Sequence, residues 1–378
     1  MSAPRPTRAV PGASAAAGRP GRRRSRRGAR ALAATVVATL ALVACSSREP
    51  APEPTPAPSV TLGAKERPAP LPARWPLTGV AGEVAERPAM SVKIENSAAA
   101  RPQTGLEDAD VVWEEMVEGG ITRFNAAYHS TVPGEIGPIR SVRPMDAAIS
   151  GPLGGLLVIS GGQPQFVQQM RDAGLQALSN DEGAPGMYRV GFRSAPHNVY
   201  GAGPELLAQA DGGHSAPPPE QFFFAWEPEH ATAVRAGTPA SVIDVRFPAS
   251  QPGWTWDAAA DAGRGAGPGE WVRDERDVPQ VSADGDRITA KNVVVLRVQV
   301  VDTGTRDPGG NPVPETVLTG TGEALVATGG HVVSGTWSKP GTSDPLTLTD
   351  GAGAEIELAP GNTWVELVPV DGGGVTVG

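Results

Sequence analysis

The stretch GLLVISGG, residues 155–162, decides the fold of the region around it. Its first six residues form a short apolar run bounded by glycine, which is typical of a buried strand. In the following residues, 163–173, Phe166, Val167 and Met170 have helical spacing, so one face of a helix would point inward. A buried strand, a glycine turn and a helix in succession predict an α/β layer.

Similar patterns surround this stretch. Residues 90–95 alternate and predict a strand, residues 121–129 predict another, and residues 145–150 predict a short helix. The run 109–117 fits either a strand or a helix. We therefore expect residues 84–237 to form an N-terminal domain of the α+β or α/β class.

Residues 238–378 have a different pattern, in which β-branched and aromatic runs alternate with turns. Strands are predicted at 242–247, 292–301 and 363–368, and Asp-Gly pairs at 284–285 and 350–351 supply hairpin turns. This region is expected to be a mostly antiparallel β domain, a barrel or a sandwich. Its tryptophans lie at strand positions, where core packing explains them better than sugar stacking does.

The beginning of the chain has the pattern of an export signal. Six arginines between residues 22 and 30 precede an uncharged, apolar or small run at 31–44, which is shorter than the roughly 20 residues that span a bilayer. The run ends in LVAC, and Cys45 is the only cysteine of the chain. This ending resembles a bacterial lipobox, so residues 1–44 are predicted to be a lipoprotein signal peptide. Cys45 would become the lipid-modified N-terminus, and the route, Sec or twin-arginine, stays open.

A linker follows the signal. Residues 45–83 are rich in proline and alanine, and their central part, EPAPEPTPAPSV, favours an extended chain over a packed core. At about 3.1 Å per residue, such a disordered linker would hold the folded part well away from a membrane. The expected location is the extracytoplasmic face of the bacterial cell membrane.

The charge of the chain limits its partners. Residues 1–44 contain nine arginines and no acidic residue, which leaves 23 basic and 41 acidic residues and a formal charge of −18 for the rest. Such a negative charge argues against nucleic acid as a partner, because proteins bind nucleic acids largely by neutralising phosphates with basic side chains. With a single cysteine, the chain cannot form an intramolecular disulfide.

Five motifs follow one another in the first region: ARPQTGL, ADVVWE, VEGGITRF, GPIRSVRP and APHNVY, between residues 100 and 200. In order and spacing they resemble the bacterial lipoproteins of the YerB type, a family defined by the domain of unknown function DUF3048. The second region is similar to that family's second domain through VVSGTWSK (332–339) and PGNTWV (360–365), and the resemblance covers residues 84–369. It implies an envelope lipoprotein with an α/β domain and a β-rich domain, and it transfers no catalytic residues.

Arginines in the motifs suggest an anion site. Arg101, Arg123, Arg140 and Arg143 lie in turn-like sequence near glycine or proline, and a guanidinium group suits phosphate or carboxylate. Each could equally pair with a nearby glutamate and lock a turn. The residues predicted to bind a ligand are Arg101, Glu114, Glu118, Arg123, Arg140, Ser141, Arg143, His197 and Asn198.

Candidate catalytic residues are less well defined by the sequence than the candidate ligand-binding residues are. His197 is the best candidate acid or base, since histidine titrates near neutral pH, but it could also be structural. Ser160 lies between a strand and a helix like a nucleophile, yet Val158 replaces the first glycine of the GxSxG elbow. No HExxH, CxxC or closely paired histidines are present, so no metal or cofactor is predicted.

The sequence therefore predicts a lipid-anchored envelope protein that binds an anionic envelope ligand. Two alternatives stay open. One is a hydrolase or transferase acting on a cell-wall substrate, with Glu114 or Glu118 and His197 as acid–base groups. The other is a scaffolding lipoprotein that recruits envelope proteins. Whether the chain is an enzyme cannot be decided from its sequence.

Overall fold

The computed structural model describes residues 71–378, which are mostly β. The predicted signal peptide, Cys45 and the predicted linker up to residue 70 lie outside the described residues. The α-helices are α1 (Asp146–Ser150), α2 (Pro164–Asp172), α3 (Gly203–Leu207) and α4 (Thr232–Ala236). The strands in chain order are β1 (Met90–Glu95), β2 (Val111–Met116), β3 (Thr122–Tyr128), β4 (Glu135–Ile136), β5 (Leu156–Ile159), β6 (Gln176–Ser179), β7 (Met187–Arg189), β8 (Val199–Ala202), β9 (Thr238–Pro239), β10 (Val242–Arg246), β11 (Pro252–Asp257), β12 (Glu270–Glu275), β13 (Val278–Pro279), β14 (Thr289–Ala290), β15 (Asn292–Arg306), β16 (Pro312–Val317), β17 (Gly320–Thr328), β18 (His331–Lys339), β19 (Thr347–Asp350), β20 (Thr363–Pro369) and β21 (Gly374–Val377).

The largest sheet combines strands from both predicted regions. Its order is β19-β18-β17-β15-β20-β2-β3-β1-β5-β6, with β16 paired to β15 and β9 paired to β18. Strand β20 is buried along its whole length and pairs in parallel with β15 on one side and β2 on the other. Residues 84–237 and 238–378 thus share one sheet, and all described residues belong to one compact unit.

A second sheet of six strands covers one face of the largest sheet. Its order is β13-β12-β11-β10-β21, with β14 paired to β12, and its pairs are antiparallel. Trp254 contacts Trp364 of the largest sheet at 5.2 Å between ring centroids, and Phe124 contacts Trp364 at 5.1 Å. The strands after residue 238 therefore divide between two sheets and do not close into a barrel of their own.

Short helices cover part of the opposite face. Helix α2 buries Phe166, Val167 and Met170, which confirms the helical spacing in the sequence, and the undecided run 109–117 contains strand β2. Residues 156–159 form the buried strand β5. A small third sheet, β4-β8-β7, lies outside these layers.

The chain is packed before the predicted end of the linker at residue 83. Leu77 is fully buried, and Trp75 contacts the His129 ring at 5.1 Å between centroids. The backbone of Arg74 forms an isolated antiparallel β-bridge with Ala81. Its side chain donates hydrogen bonds to the carbonyls of Phe224 and Ala225. The proline-rich composition hides these few apolar anchors, so the sequence prediction places the end of the linker too late. None of the helices among residues 71–378 is long and apolar enough to cross a membrane.

Candidate functional site

Polar side chains converge at the carboxyl ends of the parallel neighbours β1 and β5, where residues 138–142 cross between the two strands. Arg140 N donates to Lys93 O (2.8 Å), Ser160 N to Arg140 O (3.0 Å) and Val142 N to Gly161 O (3.0 Å). Such strand ends are where α/β sheets commonly bind ligands. We call the side chains around this segment the crossing site: Glu95, Glu118, Arg123, Arg140, Ser141, Arg143, Ser160 and His197.

Two buried arginines of the crossing site share one carboxylate. Arg143 donates to Glu118 from Nε (2.5 Å) and Nη2 (2.7 Å), a bidentate pair, while Arg123 Nη2 lies 3.6 Å from Glu118 Oε2. Burial opposes ionisation of Glu118, but Arg143 and then Arg123 outweigh it and lower the pKa of this carboxyl group. Burial and the nearby Arg143 and Arg140 lower the pKa of Arg123 to about 9. Repulsion between the guanidinium groups thus adds to the effect of burial on Arg123.

The outer part of the crossing site is less fully paired. Glu95 Oε1 contacts His197 Nδ1 at 2.8 Å, and Glu95 Oε2 lies 3.4 Å from Arg140 Nε. Arg140 Nη1 donates to Pro196 O (3.2 Å), whereas its buried Nε has no hydrogen-bond partner among the described residues. The hydroxyl groups of Ser141 and Ser160 are 3.3 Å apart. The hydrogen bonding of Arg140 within the crossing site is thus incomplete.

A buried charged layer lies beneath the crossing site. Lys93 Nζ contacts Glu115 Oε1 and donates to Asp146 Oδ1 (2.8 Å), and all three residues are fully buried. Asn125 Nδ2 also donates to Asp146 (2.8 Å). Burial lowers the pKa of Lys93 to about 8, against the opposing effect of Asp146. Lys93, Asn125 and the Arg143 backbone N–H occupy the carboxylate of Asp146, whereas Glu115 contacts only Lys93 and its buried Oε2 has no hydrogen-bond partner among the described residues.

A second buried cluster lies on the other face of the sheet. Glu114 Oε2 accepts from Arg273 Nη2 at 2.6 Å, and Glu114 Oε1 accepts from Thr122 Oγ1 at 2.6 Å. Glu366 is nearby and accepts from Trp254 Nε1 at 2.9 Å. Burial and the neighbouring Glu114 raise the pKa of Glu366 well above its usual range.

The structure brings together most of the predicted ligand-binding residues but not all. The residues that meet in the crossing site are Glu118, Arg123, Arg140, Ser141, Arg143 and His197. Glu114 is separated from them because residues alternate along β2, so its side chain enters the second cluster. Arg101 donates to Asn96 Oδ1 (3.1 Å) and Asn96 O (2.9 Å). Asn198 Oδ1 accepts a hydrogen bond from Arg189 Nη1 (2.7 Å), which is a contact within the local segment and not with the crossing site.

Neither Glu114 nor Glu118, the glutamates considered as acid–base groups with His197, contacts the His197 ring. His197 pairs with Glu95, whereas Glu118 is held by Arg143 and Glu114 by Arg273. Sequence reasoning missed Glu95, and it also missed Lys93 and Arg273. The available signal was the polar alternation of β1, SVKIE, at residues 91–95, which places Lys93 and Glu95 on one face.

The hairpin of β15 and β16 lies against the same region. Val313 of β16 is fully buried in a cluster with Val142, Leu157 and Ile159. Near the hairpin tip, Arg306 O accepts from Gln163 Nε2 at the start of α2 (3.0 Å). A segment from the second half of the chain thus forms one wall beside the crossing site. Within residues 71–378, no three His, Cys, Asp or Glu side chains are grouped so that they could hold a metal ion.

Two models of one family match the chain. The N-terminal domain of the protein of unknown function DUF3048 matches residues 77–216, and the C-terminal domain matches residues 243–365. The chain belongs to the DUF3048 family. This membership confirms the resemblance drawn from the five motifs, and most of the crossing-site residues lie in or beside those motifs.

The family includes a relative in Bacillus subtilis. "Putative lipoprotein YerB" of strain 168 is 36% identical over 128 residues, which are 33% of this chain and 39% of the relative, well under half its length. The crystal structure of the YerB protein from Bacillus subtilis is similar with a TM-score of 0.66 and 22% identity, covering 80% of this chain and 99% of that one. This likeness shows the DUF3048 fold and no activity.

Proposed function

We propose that this protein is a lipid-anchored protein on the extracytoplasmic face of the cell membrane and that it binds an anionic envelope ligand at the crossing site. The observation that supports the binding proposal is the incomplete hydrogen bonding of the Arg140 guanidinium group. Its buried Nε has no hydrogen-bond partner among the described residues, and its contact with Glu95 is long, at 3.4 Å.

The charge of the outer layer supports an anion. Within the crossing site as defined, three guanidinium groups, from Arg123, Arg140 and Arg143, accompany two carboxylates, from Glu95 and Glu118. The carboxylate of the exposed Asp181 lies outside it, beside Gly161. The buried layer beneath has one more carboxylate than ammonium: Lys93, Asn125 and a backbone N–H occupy Asp146, while the buried Glu115 Oε2 has no hydrogen-bond partner among the described residues. A phosphate or carboxylate would therefore meet Arg140 first, with the Ser141 and Ser160 hydroxyl groups as further donors.

Ligand-induced stabilisation tests the binding proposal. The full chain, purified in detergent, would be melted with tryptophan fluorescence as the readout, with and without inorganic phosphate, a sugar phosphate or acidic cell-wall fragments. A saturating anion should raise the Tm by a few degrees, since about 1 kcal/mol of binding stabilisation corresponds to roughly 2–4 °C in large domains.

Two matched variants decide where the anion binds. Arg140→Ala should lose the shift, while Arg171→Ala, which removes an exposed arginine paired with Glu182, should keep it. An equal shift in both variants would place the anion elsewhere and overturn the proposal. If no anion shifts the parent, the scaffolding alternative is favoured instead.

Two observations support the lipid anchor. The sequence LVAC resembles a lipobox, and a similar protein from Bacillus subtilis is named a putative lipoprotein. Radiolabelled palmitate should be incorporated into the parent and into Ser46→Ala, but not into Cys45→Ala. Label in Cys45→Ala, or none in the parent, would contradict the anchor.

No reaction is proposed for the crossing site. His197 is oriented by Glu95, as a general base would be, but within residues 71–378 no hydroxyl group lies within hydrogen-bonding distance of His197 Nε2. The arrangement supports binding better than it supports a hydrolase or a transferase.

A further inference from the structure

A cavity of about 510 Å³ lies beside the start of β12 and has no residue in common with the crossing site. The loop between β11 and β12 forms one side, and Glu107 and Asp108 from the first half of the chain form another. Its charged lining comprises six carboxylates and two guanidinium groups, which belong to Glu107, Asp108, Asp257, Asp261, Glu270, Asp286, Arg264 and Arg287. We call it the acidic cavity.

Glu270 is the feature that points to a ligand. Only 2% of the residue is exposed, yet its Oε2 is buried without a hydrogen-bond partner among the described residues. Directly opposite on the neighbouring strand is another acid, Asp257. Like charges opposite each other destabilise a strand pair, and a buried carboxylate without a partner is costly. A cation in the cavity would relieve both costs.

The positive groups nearby donate mainly to other acceptors, and the buried Nε of Arg264 has no hydrogen-bond partner among the described residues. Arg264 donates to Glu107 O (2.7 Å) and Thr289 Oγ1 (2.7 Å), and Arg287 donates to Asp274 Oδ1 (2.9 Å). Lys291 Nζ donates to three loop carbonyls at 2.9–3.0 Å. Among the described residues, none of these groups lies within 4.0 Å of the Glu270 carboxylate as an ion pair. The carboxylate thus has no counter-charge in direct contact.

The spacing of the carboxylates selects the class of cation. No three acidic or histidine side chains in residues 71–378 are close enough together for a metal ion. The carboxylates are instead spread around a cavity large enough for an organic molecule. We propose that the acidic cavity binds a small organic polycation, a polyamine, with one amino group at Glu270 and others at the rim carboxylates.

Calorimetric titration of the full chain in detergent with spermidine tests this proposal. The parent should bind in a saturable way. Glu270→Gln should weaken binding at least about tenfold, as loss of a buried charge partner does, while Asp277→Asn, an exposed acid outside the cavity, should change it less than about twofold. Magnesium chloride at matched ionic strength should not displace spermidine.

Three results would overturn the proposal: no saturable binding by the parent, equal affinity of Glu270→Gln and Asp277→Asn, or full displacement by magnesium. Unfolding midpoints separate a binding role from a structural one. Removing an unpartnered buried charge should leave Glu270→Gln at least as stable as the parent, and a clear loss of stability would show a structural role instead. If Glu270→Gln cannot be purified, Asp261→Asn at the exposed rim should still weaken spermidine binding, and unchanged affinity would contradict the site.

Discussion

At the scale of single residues, Glu366 is a carboxyl group held away from water. It is fully buried, and burial together with the carboxylate of Glu114 raises its pKa well above the value of 4.5 usual for glutamate. Because the folded pKa lies above the unfolded value, this group stabilises the fold below about pH 4.5, and the contribution is lost as the pH rises toward the folded pKa. Near neutral pH, the group therefore lowers stability.

We expect Glu366→Gln to remove this pH dependence and to keep an oxygen that can accept from Trp254. Above about pH 4.5, the free energy of unfolding of the parent should fall relative to the variant as the pH rises, by up to about 1.4 kcal/mol per pH unit. Urea unfolding followed by tryptophan fluorescence measures the difference. Glu323→Gln, at an exposed site, is the control and should follow the parent. Parallel profiles for the parent and Glu366→Gln would contradict the raised pKa.

At the scale of elements, one buried ion pair joins the two sheets. Arg273 of β12 donates to Glu114 of β2, both fully buried, and its guanidinium carbon lies 5.1 Å from the Trp364 ring centroid and 5.5 Å from that of Phe124. Burial alone would lower the pKa of Arg273, but Glu114, Glu366 and Glu275 raise it. The arginine therefore stays charged and is the main counter-charge of the second cluster.

Arg273→Met should leave Glu114 buried without its counter-charge and reduce the free energy of unfolding by about 3–5 kcal/mol. Adding Glu114→Gln should recover part of that loss, because the unpaired charge is then removed as well. The control is Arg276→Met, which alters an exposed arginine just after β12 and should have little effect. Urea midpoints compare the four proteins, and an Arg273→Met variant as stable as Arg276→Met would contradict the role of the pair.

Elements with a local signal were predictable, and long-range partners were not. Helix α2 and strand β5 follow from spacing and glycine turns within 20 residues of sequence. By contrast, Lys93 meets Asp146 across 53 residues, and Arg273 meets Glu114 across 159 residues. Alternating polar residues in a strand also look the same whether they face water or a buried charged layer. The arginines of the crossing site could therefore be found in the sequence, whereas their carboxylate partners could not be assigned.

At the scale of the whole molecule, β20 connects the two halves of the sequence. It lies between β15 and β2, so a cut between residues 237 and 238 would separate two strands that are paired in the middle of the largest sheet. Each fragment would then expose an apolar strand edge, which favours aggregation over folding. Whether the regions 84–237 and 238–378 fold independently stays a prediction from sequence, and the shared sheet leads us to expect that they do not.

Expression of residues 71–237 and 238–378, separately and together, tests this expectation. Neither fragment alone should unfold cooperatively in urea, while the co-expressed pair should assemble into a one-to-one complex with a cooperative transition. Tryptophan fluorescence reports assembly directly, because Trp113 of the first fragment packs in one core cluster with Val365 of the second. Cooperative unfolding of either fragment alone would show that the boundary near residue 237 separates true folding units, and β20 would then be an interface strand between them.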